Sequence, residues 1–197
     1  MNKQRKQIRL KNYDYSQSGL YFVTICAQNR ECLFGNIVGA IHESPLPKMV
    51  LNDIGKIIDS VFKTLPDRFP VILDAFQIMP NHVHMVIQIV GVHHDAPIIV
   101  GAHHDAPIIV GAIHESPLRK RSLLSQIIGY FKMNSAKSIH QINPNIPVWQ
   151  RNYYEHIIRN EQSLEKIRNY IDSNPKMWER DRNNPLNAKR RLPKEEL

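Results

Sequence analysis

Hydrophobic residues take every second place from Val83 to Ile89, where Val83, Met85, Ile87 and Ile89 alternate with His84, Val86 and Gln88. A period of two is that of a β-strand with one face turned to a core, and it puts His82 and His84 together on the other face. The preceding run, Phe69 to Ile78, is also rich in strand formers, and Met79-Pro80-Asn81 between the two carries residues that favour turns. The pattern predicts an antiparallel hairpin with both imidazoles near its turn. Gly19 to Arg30, β-branched and aromatic, predicts another strand, and Val148 to Asn160 an aromatic strand or extended segment.

Elsewhere the apolar spacing lengthens to that of a helix. Ile54, Ile57, Ile58, Val61 and Phe62 form one stripe that stops near Pro66, and Leu124, Ile127, Ile128 and Phe131 form another behind a capping Ser122. Leu164, Ile167 and Ile171 are the core face of a last helix, with Pro175 expected just beyond its end. The order is β-α-β-β-α-β followed by a helix. It predicts an α+β chain of the ferredoxin-like, split βαβ kind, with helices over one sheet face and the histidines on the other, open face. All 197 residues fit a single domain.

A ten-residue unit interrupts this scheme. IVGAIHESPL occupies Ile37 to Leu46, IVGVHHDAPI Ile89 to Ile98, IVGAHHDAPI Ile99 to Ile108, and IVGAIHESPL again Ile109 to Leu118. Its Gly, His and Pro suit extended loops, so Ile37 to Leu46 and Val90 to Leu118 are expected to be surface insertions, which cost little in loop-closure entropy. The histidines in these copies offer a metal-binding tract by composition alone. The codons offer another account. Gly-Ala-Ile-His-Glu-Ser-Pro can be written GGG GCG ATT CAT GAA TCG CCC, which with one more C, from a leucine codon, equals its own reverse complement, and Gly-Ala-His-His-Asp-Ala-Pro can be written GGG GCG CAT CAT GAT GCG CCC, an inverted repeat too apart from the final C. Both point to a DNA hairpin that entered the gene in frame.

The formal charge of +8 and pI near 9.6 favour an anionic partner such as nucleic acid. Five Lys or Arg and no acid lie in the first twelve residues, Arg5 and Lys6 among them, and Lys189 to Arg191 lie in a basic C-terminal tail over about 180–197. Both ends read as solvated tails or phosphate-contacting arms. Cys26 and Cys32 are too far apart for a Cys-x-x-Cys pair, and Cys26 sits in an apolar run, so reduced thiols and a cytoplasmic location are expected. The N-terminus is polar, with no signal-peptide pattern, and no apolar run approaches a membrane span.

Two imidazoles one residue apart on a strand face can share a metal ion, or simply be solvated. On the last helix Tyr170 and Asn174 stack one turn apart, offering a nucleophile and a ligand, or a core-edge tyrosine and a C-terminal cap. Arg151, Arg159 and Lys132 can meet phosphates, while Trp149, Tyr153 and Tyr154 can stack on bases. A strand puts neighbours on opposite faces, so Trp149 and one of the two tyrosines are expected in the core.

Taken together, YFVTICAQNR, LDAFQIMPNHVHMVI, VWQRNYYEHIIRNE and YIDSNP, in this order, resemble the landmarks of the REP-associated tyrosine transposases within the HUH single-strand (IS200-like) transposases. The resemblance covers most of the chain outside the repeats and the tail. It implies that His82 and His84 bind a divalent metal (Mg2+ or Mn2+), that Asn174 completes that site, and that Tyr170 is the nucleophile. It further implies cleavage and rejoining of single-stranded DNA near palindromic hairpins through a 5′-phosphotyrosine, by a monomer or homodimer. The in-frame repeats depart from the family's usual length. A catalytically inactive, domesticated hairpin-DNA-binding protein and a metal-dependent nuclease that uses water are the competing classes.

Overall fold

The structure, a computed structural model, describes residues 13–39, 46–91 and 121–188. Four antiparallel strands form one sheet in the order β4-β5-β1-β6: β1 is Gly19–Cys26, β4 Val71–Met79, β5 His82–Ile89 and β6 Tyr154–Ile158. The β4–β5 hairpin and the two helices predicted from the apolar stripes are present, and the architecture is the split βαβ arrangement read from the sequence. A short hairpin of β2 (Gly35–Val38) and β3 (Lys48–Leu51) stands beside the sheet, in a stretch with no strand expectation. It contains Ile37 and Val38 of the first repeat, paired with Met49 and Lys48; the rest of that copy to Pro45, apart from Gly39, lies outside the described residues. So does the second stretch from Val92 to Lys120.

Helix α1 (Asp53–Lys63) starts at Asn52, whose side chain accepts from the Gly55 amide at 2.9 Å, and α2 (Leu123–Ile142) starts at Ser122, whose hydroxyl accepts from Ser125. Each cap satisfies one of the amides that a helix start leaves unpaired. Their apolar stripes cover one sheet face. Tyr21, Val23 and Ile25 of β1, Val83, Met85 and Ile87 of β5, and Ile58, Leu124, Ile127 and Phe131 of the helices are fully buried there. Trp149 joins this core, its ring tilted against those of Phe34 and Phe131, and donates its indole N–H to Ser135 at 2.9 Å.

The expectation of an open second face does not hold. Helix α3 (Glu161–Met177) lies across it and buries Leu164 and Ile171 against Phe22, Val86 and Ile158. Periodicity does not announce this cover, because Phe22 and Val86 are single apolar residues between positions of the main core. Pro175 is also inside the helix, in its last turn, instead of beyond it. The turn survives because proline forfeits only one ladder bond, and Trp178 closes the end on the Pro175 carbonyl.

A bulge at Asp74 separates Leu73↔Ile87 from Ala75↔Val86, so that Leu73 and Phe76 both serve the main core. The bulged residue turns its carboxylate to α3, where Arg168 Nε meets Oδ1 at 2.8 Å.

Gly55 marks the closest approach of α1 to the body. A Cβ built there falls 2.2 Å from the Phe34 carbonyl oxygen. Gly55→Ala, which would favour an exposed helix, is therefore expected to lower unfolding stability by roughly 1–3 kcal/mol in urea titration. A gain in stability would show that α1 does not sit this tightly on Phe34.

Candidate active site

The site is built around a two-residue turn. Asn81, fully buried between β4 and β5, donates through Nδ2 to the carbonyls of Arg30 and Asn183, at 2.8 and 2.7 Å. Two carbonyl acceptors fix which end of the amide is nitrogen. Its Oδ1 therefore faces His82 Nδ1 at 2.9 Å and can only accept, so His82 carries its proton on Nδ1 and presents a lone pair at Nε2. His84 Nδ1 lies 2.8 Å from the Thr24 hydroxyl on the neighbouring strand. Thr24 can donate or accept, so the His84 tautomer is free to follow whatever occupies Nε2.

The two Nε2 atoms are 3.0 Å apart, and both rings are buried. Burial is the main cause that holds both imidazoles neutral; for His82 the neighbouring His84 and then Arg30 and Arg182 add to it, and His84, aided by Arg182, is pushed down to about 3. Asp181, in the segment after α3, brings Oδ2 to 3.8 Å from His82 Nε2. Burial pushes this carboxyl up, while the Asn183 backbone amide, Arg182 and Arg30 pull it down. The ligand atoms of His82, His84 and Asp181 all lie within 4.8 Å of one another. Neutral, oriented imidazoles whose nitrogens are separated by about the edge of a coordination octahedron with ~2.1 Å bonds fit a divalent ion.

Tyr170, on α3, packs its ring edge-on to His84 with centroids 5.3 Å apart and to Phe22 at 6.2 Å, and remains 46% exposed. The phenol thus sits beside the imidazole pair and within reach of solvent. Asn174, one turn on, is buried and donates Nδ2 to the Tyr170 carbonyl at 3.0 Å, which leaves Oδ1 as the atom able to ligate. Trp178 tilts against His82 at 6.1 Å.

The proposed DNA contacts divide. Tyr154 is exposed on the α3 side of the sheet, 6.3 Å from Phe22, and Arg151 and Arg159 are exposed. Tyr153, its neighbour, packs against the main core, as alternation requires. Lys132 is half-buried and already gives two hydrogen bonds, to the carbonyls of Gln150 and Arg151, and burial lowers its pKa. It holds the loop that carries Arg151. Arg5 and Lys6 lie outside the described residues.

Sequence reasoning missed Asn81, Thr24 and Asp181. Asn81 was read only as a turn residue, and Asp181 sits past the last apolar stripe in WERDRNNP, where no periodicity leads to it.

No protein-family model matches the chain. A Haemophilus influenzae protein of undescribed function is 37% identical over 186 residues, covering 90% of this chain and 91% of its own. A second protein of that organism, named "Putative REP-associated tyrosine transposase", is 25% identical over 174 residues, 84% of this chain and 76% of its own. Among solved structures, a REP-associated tyrosine transposase bound to a REP hairpin superposes with a TM-score of 0.51 at 15% identity, over 85% of this chain and 72% of that one. The fold is therefore that of a transposase of this kind. The chain belongs to one family with the 37% identical Haemophilus protein, and carries the likeness to REP-associated tyrosine transposases in sequence and fold alike.

Asn81→Ala strands two buried carbonyls and the His82 Nδ1 proton. It is expected to cost roughly 2–4 kcal/mol in chemical denaturation, and the His82 ring resonance in the NMR spectrum of the folded fraction should lose its single-tautomer signature. An unchanged spectrum would remove Asn81 from this role.

Proposed function

We propose that this protein is a metal-dependent tyrosine nickase and strand transferase acting on single-stranded DNA at palindromic hairpins. The observation that carries the reading is the half-exposed Tyr170 phenol set edge-on to His84, on the sheet face that holds the buried, neutral His82–His84 pair. The hairpin bound by the solved transposase, and this chain's positive charge, support hairpin DNA as substrate.

The Tyr170 oxygen attacks the scissile phosphorus in line. A bond forms between the phenolic oxygen and phosphorus, giving a 5′-phosphotyrosine that keeps its P–O5′ bond, while the P–O3′ bond breaks, the phenolic proton is lost and the departing 3′ oxygen takes one up. The reverse attack by a 3′-hydroxyl rejoins strands without a nucleoside triphosphate, since the ester keeps the phosphodiester's energy. His82 and His84, with Asn174 Oδ1 and the Asp181 carboxylate, would hold a divalent ion, Mg2+ or Mn2+. When bound it would polarise the scissile phosphate and lower the pKa of a nearby phenol. Imidazole ligands favour Mn2+ over Mg2+. Asn81 and Thr24 orient the two rings, while Arg30 and Arg182 flank the pair as phosphate contacts. Tyr154, Arg151 and Arg159 line the path of the unpaired strand, with the N-terminal Arg5 and Lys6 as a further arm. A monomer contains every group named, and a cytoplasmic location follows from access to DNA.

Incubating the full chain with a 5′- and 3′-labelled single-stranded hairpin and Mn2+ is expected to give a covalent protein–DNA adduct and a free 3′-hydroxyl end. Tyr170→Phe should abolish both and leave hairpin binding within about twofold. Cutting that persists in the Tyr170→Phe protein indicates a water nucleophile. Tight binding with no adduct from the native chain indicates a domesticated binding protein.

The ligand set is tested separately by Mn2+ titration. His82→Ala and Asp181→Ala are each expected to weaken Mn2+ binding at least about tenfold. If Asn174→Ala has that effect and Asp181→Ala does not, the carboxylate is a neighbour and not a ligand.

A further inference from the structure

The repeat units differ from one another in a way that the protein does not explain. Gly39 to Pro45 and Gly111 to Pro117 read Gly-Ala-Ile-His-Glu-Ser-Pro, whereas Gly101 to Pro107 reads Gly-Ala-His-His-Asp-Ala-Pro. Replacing Ile by His, Glu by Asp and Ser by Ala has no common side-chain logic. In DNA it has one. Written GGGGCGATT-CATG-AATCGCCCC, the first version folds into a stem closed by a CATG loop. Exchanging two stacked pairs of that stem, A·T for C·G and T·A for A·T, turns Ile-His-Glu-Ser into His-His-Asp-Ala and changes nothing else. The remaining variant, Val92 in place of alanine, needs only C changed to T opposite G, a wobble pair. In this writing the constant central histidines, His42, His94, His104 and His114, fall on the CAT of the loop. From the Gly codon to the Pro codon every difference among the four copies preserves base pairing; only the outermost, ninth pair is lost where Ile98 and Ile108 stand in place of Leu46 and Leu118, because an Ile codon opens with A and not C.

The fold points the same way. All groups of the site come from outside the repeats: Asn81, His82 and His84 from the β4–β5 turn, Thr24 from β1, Tyr170 and Asn174 from α3, Asp181 from the segment after it. The longer stretch leaves β5 after Ile89, at the end of the strand away from His82, about 23 Å along it at ~3.3 Å per residue. The first copy joins β2 to β3, outside the main sheet. Among the described residues, no side chain of the repeats belongs to the site.

We propose that the hairpin written in these codons is this protein's own DNA ligand: a nine-pair stem of the form GGGGCGATT, or its compensated variant with the inner eight pairs, closed by CATG. The proposal rests on the hairpin-processing reading above and names its target. Because the element is its own reverse complement, either strand of the gene folds to the same hairpin. The enzyme can therefore engage whichever strand is exposed.

The first check is the gene: codons for Gly39 to Pro45 and Gly101 to Pro107 that do not form inverted repeats overturn the proposal. Binding of the full chain is then measured, at one fixed salt concentration, to four labelled single strands. These are the Ile-coding hairpin, the His-coding hairpin, one with the two exchanged pairs altered on one arm only, and one with the same loop and composition but a shuffled, still paired stem. The two coded hairpins are expected to bind alike, and at least about tenfold tighter than the mispaired and shuffled ones. Equal binding to all four overturns the assignment of this target. Adduct formation by Tyr170 on the shuffled hairpin but not on the coded ones also overturns it while leaving the transferase reading standing. Tight, selective binding of the coded hairpins with no adduct upholds the ligand and removes the chemistry.

Discussion

The fixed orientation of one amide governs the site. Asn81 cannot be flipped without facing its nitrogen at His82 and its oxygen at two carbonyls, so His82 has one tautomer and one lone pair direction. The same amide ties three distant pieces of chain together. The loop after β1 arrives through Arg30, the β4–β5 turn supplies Asn81 itself, and the segment after α3 arrives through Asn183. Asp181 reaches His82 because that last segment is fastened two residues further on. The cost of burying two imidazoles is met by giving each Nδ1 a partner, which leaves only the Nε2 pair unsettled.

The sheet divides the molecule by function. Its helix-packed face is apolar and closed. The opposite face is mixed: Phe22, Val86 and Ile158 anchor α3, while Thr24, His82 and His84 at one end stay polar beneath it. One helix therefore performs two tasks with adjacent turns. Leu164 and Ile171 hold it down, and Tyr170, a residue before Ile171, is turned out to the rim. Arg168 pins the same helix to Asp74, whose exposure to α3 depends on the bulge.

Much of this was legible in the residues. Alternation from His82 to Ile89 carries the strand and the shared face of the histidines; the stripes at Ile54 and Leu124 carry the helices, with Ser122 as the cap of the second. That one of Tyr153 and Tyr154 packs in the core followed from alternation too, though not that it is Tyr153. Three things were not legible. The cover by α3 depends on which of two apolar surfaces the helix prefers, and periodicity does not carry that. The bulge is a single extra residue without glycine to announce it. Asp181 and Asn81 act through contacts spanning 99 and 102 residues, His82 to Asp181 and Asn81 to Asn183, and local pattern has no access to such separations.

Each repeat copy begins with Ile-Val-Gly, and at both places where the structure shows this triplet it finishes a strand. Ile37 and Val38 complete β2 before Gly39 turns the chain at φ 101°, and Ile89 completes β5 before Val90 gives its amide to the Pro70 carbonyl. A unit that carries its own strand ending can be duplicated downstream of a sheet without sliding any residue already paired within it. Copy number at the second locus is thus decoupled from folding, and the chain can lengthen there in steps of ten while the sheet that carries the histidine pair stays in register.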